Sequence, residues 1–181
     1  GYTPASRKGA TVDLDISFSG VSTDVLIPKG AKLGTKIGSN IYTFIVTKAA
    51  VATLDPSDGL YKAFNVTIKE GIAFSSTQVV LGTTNEIFKI PNENIDTDTL
   101  TVAVGGEFYQ KVDDLTEIDA SSKVYFLQEG DQLQYEIYFG NDILGKKPDT
   151  GSLVEINYNV SMLGENGNGA KSFTFADSLG G

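Results

Sequence analysis

Cysteine and histidine are both absent from this chain of 181 residues. Without cysteine there is no disulfide and no thiol chemistry, and a reducing compartment is the expectation. Without histidine the usual general base and the commonest metal ligand are missing. Basic residues are scarce: 14 Lys and Arg face 23 Asp and Glu, a net charge of −9. A nucleic-acid face needs a basic patch, and the pairs Arg7-Lys8 and Lys146-Lys147 are ordinary surface. No apolar run approaches the roughly 18 residues of a membrane helix. Neither a nucleic acid nor a membrane is therefore an expected partner. The chain opens GYTPASRKG, without Met or an apolar segment, which fits an excerpt of a longer protein better than a secretory leader. Proline is also low, at 5 residues against 20 glycines, with 40% hydrophobic residues. That composition suits many strands joined by turns around a real core.

The patterning agrees. Val12, Leu14, Ile16 and Phe18 alternate with Asp13, Asp15 and Ser17, the period of a half-buried strand. Val25-Leu26-Ile27 precedes a Pro28-Lys29-Gly30 turn, and Gly38-Ser39-Asn40 divides a hairpin over 36–47. Ala49–Leu54 is compatible with a helical turn or a strand. Phe64, Val66 and Ile68 predict one face of a further strand. Strands are also predicted over 73–80, 85–90, 100–104 and 153–160, with 108–112 as a partner of the 100–104 strand. Asp113–Ser121 suits a helical turn, and Phe173 and Phe175 suit a short terminal strand. Connections of roughly 3–8 residues favour antiparallel pairing. The expected fold is mainly β with little helix: antiparallel sheets forming two small β subdomains. Residues 1–76 are expected to form the first. Residues 77–181 are expected to form the second, with an aromatic hairpin and a Gly-rich hairpin loop, GENGNG.

Reactive constellations are not evident. Ser121-Ser122-Lys123 reads as a turn leading into a strand. Glu129, Asp131, Glu136 and Asp142 fall around one hairpin and read as solvated turns. Asp96-Thr97-Asp98 and 55–59 offer oxygen ligands without the spacing of a calcium loop. GENGNG lacks the strand, helix and Lys-Ser/Thr of a phosphate-binding loop. Asn65-Val66-Thr67 and Asn159-Val160-Ser161 match a glycosylation sequon inside strands. No catalytic residue, metal or cofactor is expected, and an acidic β-rich hydrolase is the least favoured class.

The aromatic residues concentrate over 123–139. Val124 and Phe126 point one way and Tyr125 and Leu127 the other, while Tyr135, Ile137 and Phe139 alternate with Glu136 and Tyr138. Val124, Phe126, Ile137 and Phe139 are expected to hold the core. Tyr125, Leu127 and Tyr138 are expected to meet a neighbouring domain or subunit, because tyrosine is enriched at buried interfaces.

The segments SKVYFLQEG and YEIYFGNDILGKKPDTGSLVEINYNV resemble the baseplate wedge proteins of contractile-tailed bacteriophages, the baseplate J-like family. A Phe-Gly-Asp-Gly-x-x-Gly turn is usual there; this chain has Asn141-Asp142 where Asp-Gly is usual. GYTPASRKGA, IPKGAKLGTK and FKIPNENIDTDTLTV are similar to other parts of that family's β region. The resemblance implies a non-catalytic wedge subunit that joins other wedge proteins and copies of itself into a ring around the tail hub. It also implies residence in the virion's tail baseplate after synthesis in the host cytoplasm. A carbohydrate- or host-surface-binding β module is the alternative, suggested by the tyrosines and the polar Gly/Asn loops.

Overall fold

Alternating apolar residues and frequent turn residues build fourteen strands in the computed structural model, which describes residues 6–112, 118–130, 134–162 and 169–176. They are β1 (Thr11–Phe18), β2 (Val25–Ile27), β3 (Lys32–Ile37), β4 (Asn40–Val46), β5 (Ala50–Asp55), β6 (Leu60–Glu70) and β7 (Ile72–Val79). The remainder are β8 (Phe88–Lys89), β9 (Ile95–Val104), β10 (Glu107–Lys111), β11 (Val124–Glu129), β12 (Tyr135–Phe139), β13 (Leu153–Val160) and β14 (Thr174–Phe175). No helix occurs among the described residues. The protein is mainly β, in two seven-stranded sheets. Ala49–Leu54 resolves as a strand, and the predicted 85–90 strand shortens to two residues. Asp113–Glu117 and residues 164–168 of the GENGNG loop lie outside the described residues.

Two compact units result, each with its own core. The chain leaves the first for the second between Ala73 and Phe74, close to the expected boundary. The segment from Ser161 onward, however, belongs with Arg7–Ala73, not with the second subdomain as its position in sequence suggested. Its aromatics account for this. Phe173 meets Phe44 edge-on at 5.2 Å and Phe175 stacks on Phe18 at 6.1 Å, while β14 pairs with β3. Both phenylalanines pack on the cluster of Ile27, Leu33, Phe44, Val46, Tyr61, Val66 and Ile68. Glu70, itself buried, accepts hydrogen bonds from the Ser161 hydroxyl (2.7 Å) and the Met162 amide (3.0 Å).

In this unit β6 has β1 along one edge and β4 and β5 at opposite ends of the other. Its register against β1 slips between Leu14 and Ile16. At the slip Asn65 takes a left-handed φ of 52° and its amide donates to the Asp15 carboxylate at 3.0 Å. A β-bulge of this kind changes which side chains face inward. Tyr61 and Ala63 are buried before it, Val66 and Ile68 after it, and Phe64 is left 62% exposed. The expected face of Phe64, Val66 and Ile68 is corrected accordingly.

The other unit orders its strands β7-β13-β9-β10-β11-β12-β8. From β13 to β8 the pairing is antiparallel except between β10 and β11, which are parallel. Residues 112–123 separate the two strands in sequence, enough chain for the long connection a parallel pair requires. Val102, Val104, Val154, Ile156 and Tyr158 form the middle of the core. Opposite Tyr158 the residues 97–100 bulge out of β9. The bulge satisfies itself: the Thr99 hydroxyl donates to the Asp96 carbonyl (2.7 Å) and accepts the Asn159 amide (2.9 Å).

Candidate functional site

β11 and β12 carry bulky side chains on both faces, and the ladder between them decides which face is core. Tyr125 lies opposite Phe139, Leu127 opposite Ile137 and Glu129 opposite Tyr135. Residues directly opposite in an antiparallel pair share a face. Tyr125, Leu127, Ile137 and Phe139 therefore point together into the core. Tyr125 is only 3% exposed and Ile137 is fully buried. The Phe139 ring meets Phe88 at 5.3 Å and Tyr109 at 5.4 Å, both edge-on. Tyr125 and Leu127, expected at an interface, are thus corrected to core residues. Val124 and Phe126, expected in the core, share the opposite face with Tyr138 and are half-buried. Alternation within one strand defines two faces; only the cross-strand register says which matches the partner's.

On that opposite face a polar chain is drawn tight. Gln128 Nε2 donates to the Tyr138 hydroxyl at 2.7 Å, and the hydroxyl donates to Glu136 Oε2 at 2.8 Å. Lys89 Nζ stands 3.5 Å from Glu136 Oε1. Burial, and then the bond to the Glu136 carboxylate, push the Tyr138 phenol above its ordinary pKa. The phenol stays protonated at neutral pH and acts as a fixed donor.

β12 runs straight into a folded loop, residues 140–147. A Cβ on Gly140 would overlap the backbone of Gly145, so the two glycines permit a closure no other residue pair allows. A Cβ on Gly145 would come within 2.7 Å of Val124 Cγ2, which shows how closely the loop covers β11. The Asn141 side-chain oxygen accepts the amides of Ile143 (3.1 Å) and Leu144 (3.0 Å). Asp142 sits at a left-handed φ of 65°, a conformation Asp tolerates better than most residues. Its carboxylate accepts the Lys147 amide at 2.8 Å. The Gly145 amide donates to the Asp119 carbonyl at 2.9 Å. These bonds fix a loop whose tip carries Ile143, 79% exposed, beside Leu144.

Between this loop and residues 83–86 lies a cleft of about 210 Å³. Thr83, Thr84, Asn85, Glu86, Phe88, Tyr138, Phe139, Asn141 and Lys147 line it. The Glu86 carboxylate accepts the amides of Leu81 (2.8 Å) and Gly82 (3.0 Å), closing the wall opposite the loop. Of the residues singled out from sequence, the cleft gathers Tyr138, Phe139, Asn141 and Lys147, the last read there as ordinary surface. Asn85 carries the one local sign of its other wall, since an asparagine before a short strand suits its φ of 56°.

The remaining acidic turns are internally engaged. Asp119 accepts from both Ser121 and Ser122, so Ser121-Ser122-Lys123 is the turn leading into β11. Asp55 is bound by Ser57 and Lys62, and Asp96 by the Asp98 amide. Of the hairpin carboxylates, Asp131 lies outside the described residues. Among the described residues no three His, Cys, Asp or Glu side chains gather as a metal site. No protein-family model matches this chain, and no curated protein sequence matches it significantly.

Proposed function

We propose that this chain is a structural module of a bacteriophage tail baseplate wedge, joining other wedge proteins and copies of itself. The observation that carries the reading is the 140–147 loop: closed by two glycines, tied down by Asn141 and Asp142, and tipped by Ile143 and Leu144. An apolar tip on a preorganised loop loses little conformational entropy when a partner covers it, and gains by leaving water. The resemblance of residues 122–160 to baseplate J-like proteins supports the same reading. The test is co-purification of the protein with the other tail proteins encoded beside its gene. Association is expected, weakened at least about tenfold by Ile143→Asp, in line with loss of an interface anchor. Failure to associate with any tail component overturns the reading.

A further inference from the structure

The cleft beside Tyr138 is left unused by the assembly reading. We propose that it binds an acidic sugar, a pyranose ring carrying a carboxylate. At about 210 Å³ it is smaller than the roughly 300–1,000 Å³ of a drug-sized pocket and matches one ring. Its lining residues include the aromatics Tyr138, Phe139 and the largely buried Phe88 beside the polar residues Thr83, Thr84, Asn85 and Lys147. A sugar demands that mixture, since its ring hydroxyls need directed partners and its C–H faces need apolar surface.

Charge selects an acidic ring over a neutral one. The lining carboxylate, Glu86, already has both oxygens engaged by backbone amides. Lys147 makes no ion pair among the described residues, and the side chains of Thr83, Thr84 and Asn85 make no hydrogen bond there. The cleft therefore offers one cation without an ion-pair partner and neutral polar groups, beside a carboxylate whose oxygens are already occupied. Its walls are held before any ligand arrives. Gln128 and Glu136 fix the Tyr138 hydroxyl, and Asn141 and Asp142 fix the loop. Such preorganisation lowers the entropic cost of binding a small polar ligand. The proposal is independent of the assembly reading, and co-purification with tail proteins has no bearing on it.

The experiment is an amide NMR titration of the isotopically labelled 181-residue chain with methyl β-glucuronide and, separately, methyl β-glucoside. Glucuronide is expected to shift the amides of 83–86 and 138–141 saturably, with a Kd of about 1 mM. Glucoside is expected to bind at least about tenfold more weakly, the effect of losing one charge-assisted hydrogen bond. Lys147→Ala should bring glucuronide down to the glucoside level and leave glucoside unchanged. Asn85→Gly, which keeps the left-handed backbone, should weaken both sugars. Unshifted amides elsewhere in each variant report an intact fold. No saturable shift with either sugar overturns the proposal, as does equal glucuronide affinity in Lys147→Ala. An N-acetylated tri-aspartate peptide that shifts the same amides while neither sugar does also overturns it, in favour of a protein carboxylate.

Discussion

The Phe74–Val160 unit draws its whole apolar core, from Val80 to Tyr158, out of one continuous stretch of chain. The other unit completes its core with Phe173 and Phe175, about a hundred residues beyond the last strand of its contiguous part. The contrast teaches that equal strand numbers do not mean equal autonomy. A self-contained core stands on local sequence, whereas a core closed from a distance depends on a segment that can be cut away. Deleting everything after Val160 is the strongest way to test this. The Arg7–Ala73 unit would lose two aromatic packing contacts, the β14–β3 ladder and both partners of the buried Glu70 carboxylate. A loss of about 5 kcal/mol or more is expected in that unit. Hydrogen exchange should show β3, β4 and β6 unprotected while β9, β11 and β12 keep their protection. Equal loss across both units would break the distinction.

The second comparison lies within the aromatic hairpin. Tyr125→Ala removes a side chain enclosed by the core and should cost about 3–5 kcal/mol. Phe126→Ala, one residue along on the half-buried face, should cost about 1–2 kcal/mol, in proportion to the smaller area it hides. Denaturant titration of each variant gives the two numbers. Similar costs would mean that both faces of β11 are covered equally, contrary to the register.

These two tests mark what the sequence carries and what it does not. The strands were legible because their period of two is local: β1, β4 and β13 fall where alternation places them. The inversion within β6 has a local sign too, in Asn65, a residue type that accepts a left-handed backbone. It was missed because Phe64-Asn65-Val66 keeps a regular apolar alternation through the bulge. The face of β11 has no such sign. Val124-Tyr125-Phe126-Leu127 is apolar on both sides, and only its pairing with β12 selects Tyr125 and Leu127. The return of the C-terminal segment is likewise non-local, since nothing in Phe173 or Phe175 names Phe44 or Phe18 as its partner. At the candidate site Tyr138 was legible as an aromatic, but its cleft depends on residues 83–86 from a distant loop.

The 140–147 loop gives a sharper contrast with other glycines. Gly140→Ala drives a Cβ into backbone, which cannot swing aside as a flexible side chain would, and should cost about 3 kcal/mol. Gly105→Ala meets no atom within 4 Å, so only its left-handed φ of 57° is strained and about 1 kcal/mol is expected. Thermal melts that rank the two variants the other way would show that the loop yields instead of the backbone clashing.

The smallest effect separates the two units by electrostatics. Each has an aspartate held below the ordinary carboxylate value of about 3.9. Asp55 owes this first to its hydrogen bond with Lys62 and then to Ser57, whereas Asp119 owes it to Ser122 and Ser121. A depressed folded-state pKa contributes stability that is fully present above the unfolded value. That contribution is lost as pH falls below about 4 and through the folded value. Asp119 is exposed and Asp55 only half-buried in a solvated turn, so the effect on stability is slight, but carboxyl ¹³C shifts resolve each titration. In about 1 M salt, where screening acts within roughly 3 Å, the Asp55 titration should move up toward the ordinary value. The Asp119 titration should stay in place, because its donors are neutral hydroxyls and amides that salt does not screen. Lys62→Ala should reproduce the salt effect on Asp55 alone. A parallel rise of both aspartates in salt would mean that a general field, not these two local donor sets, holds the carboxylates down.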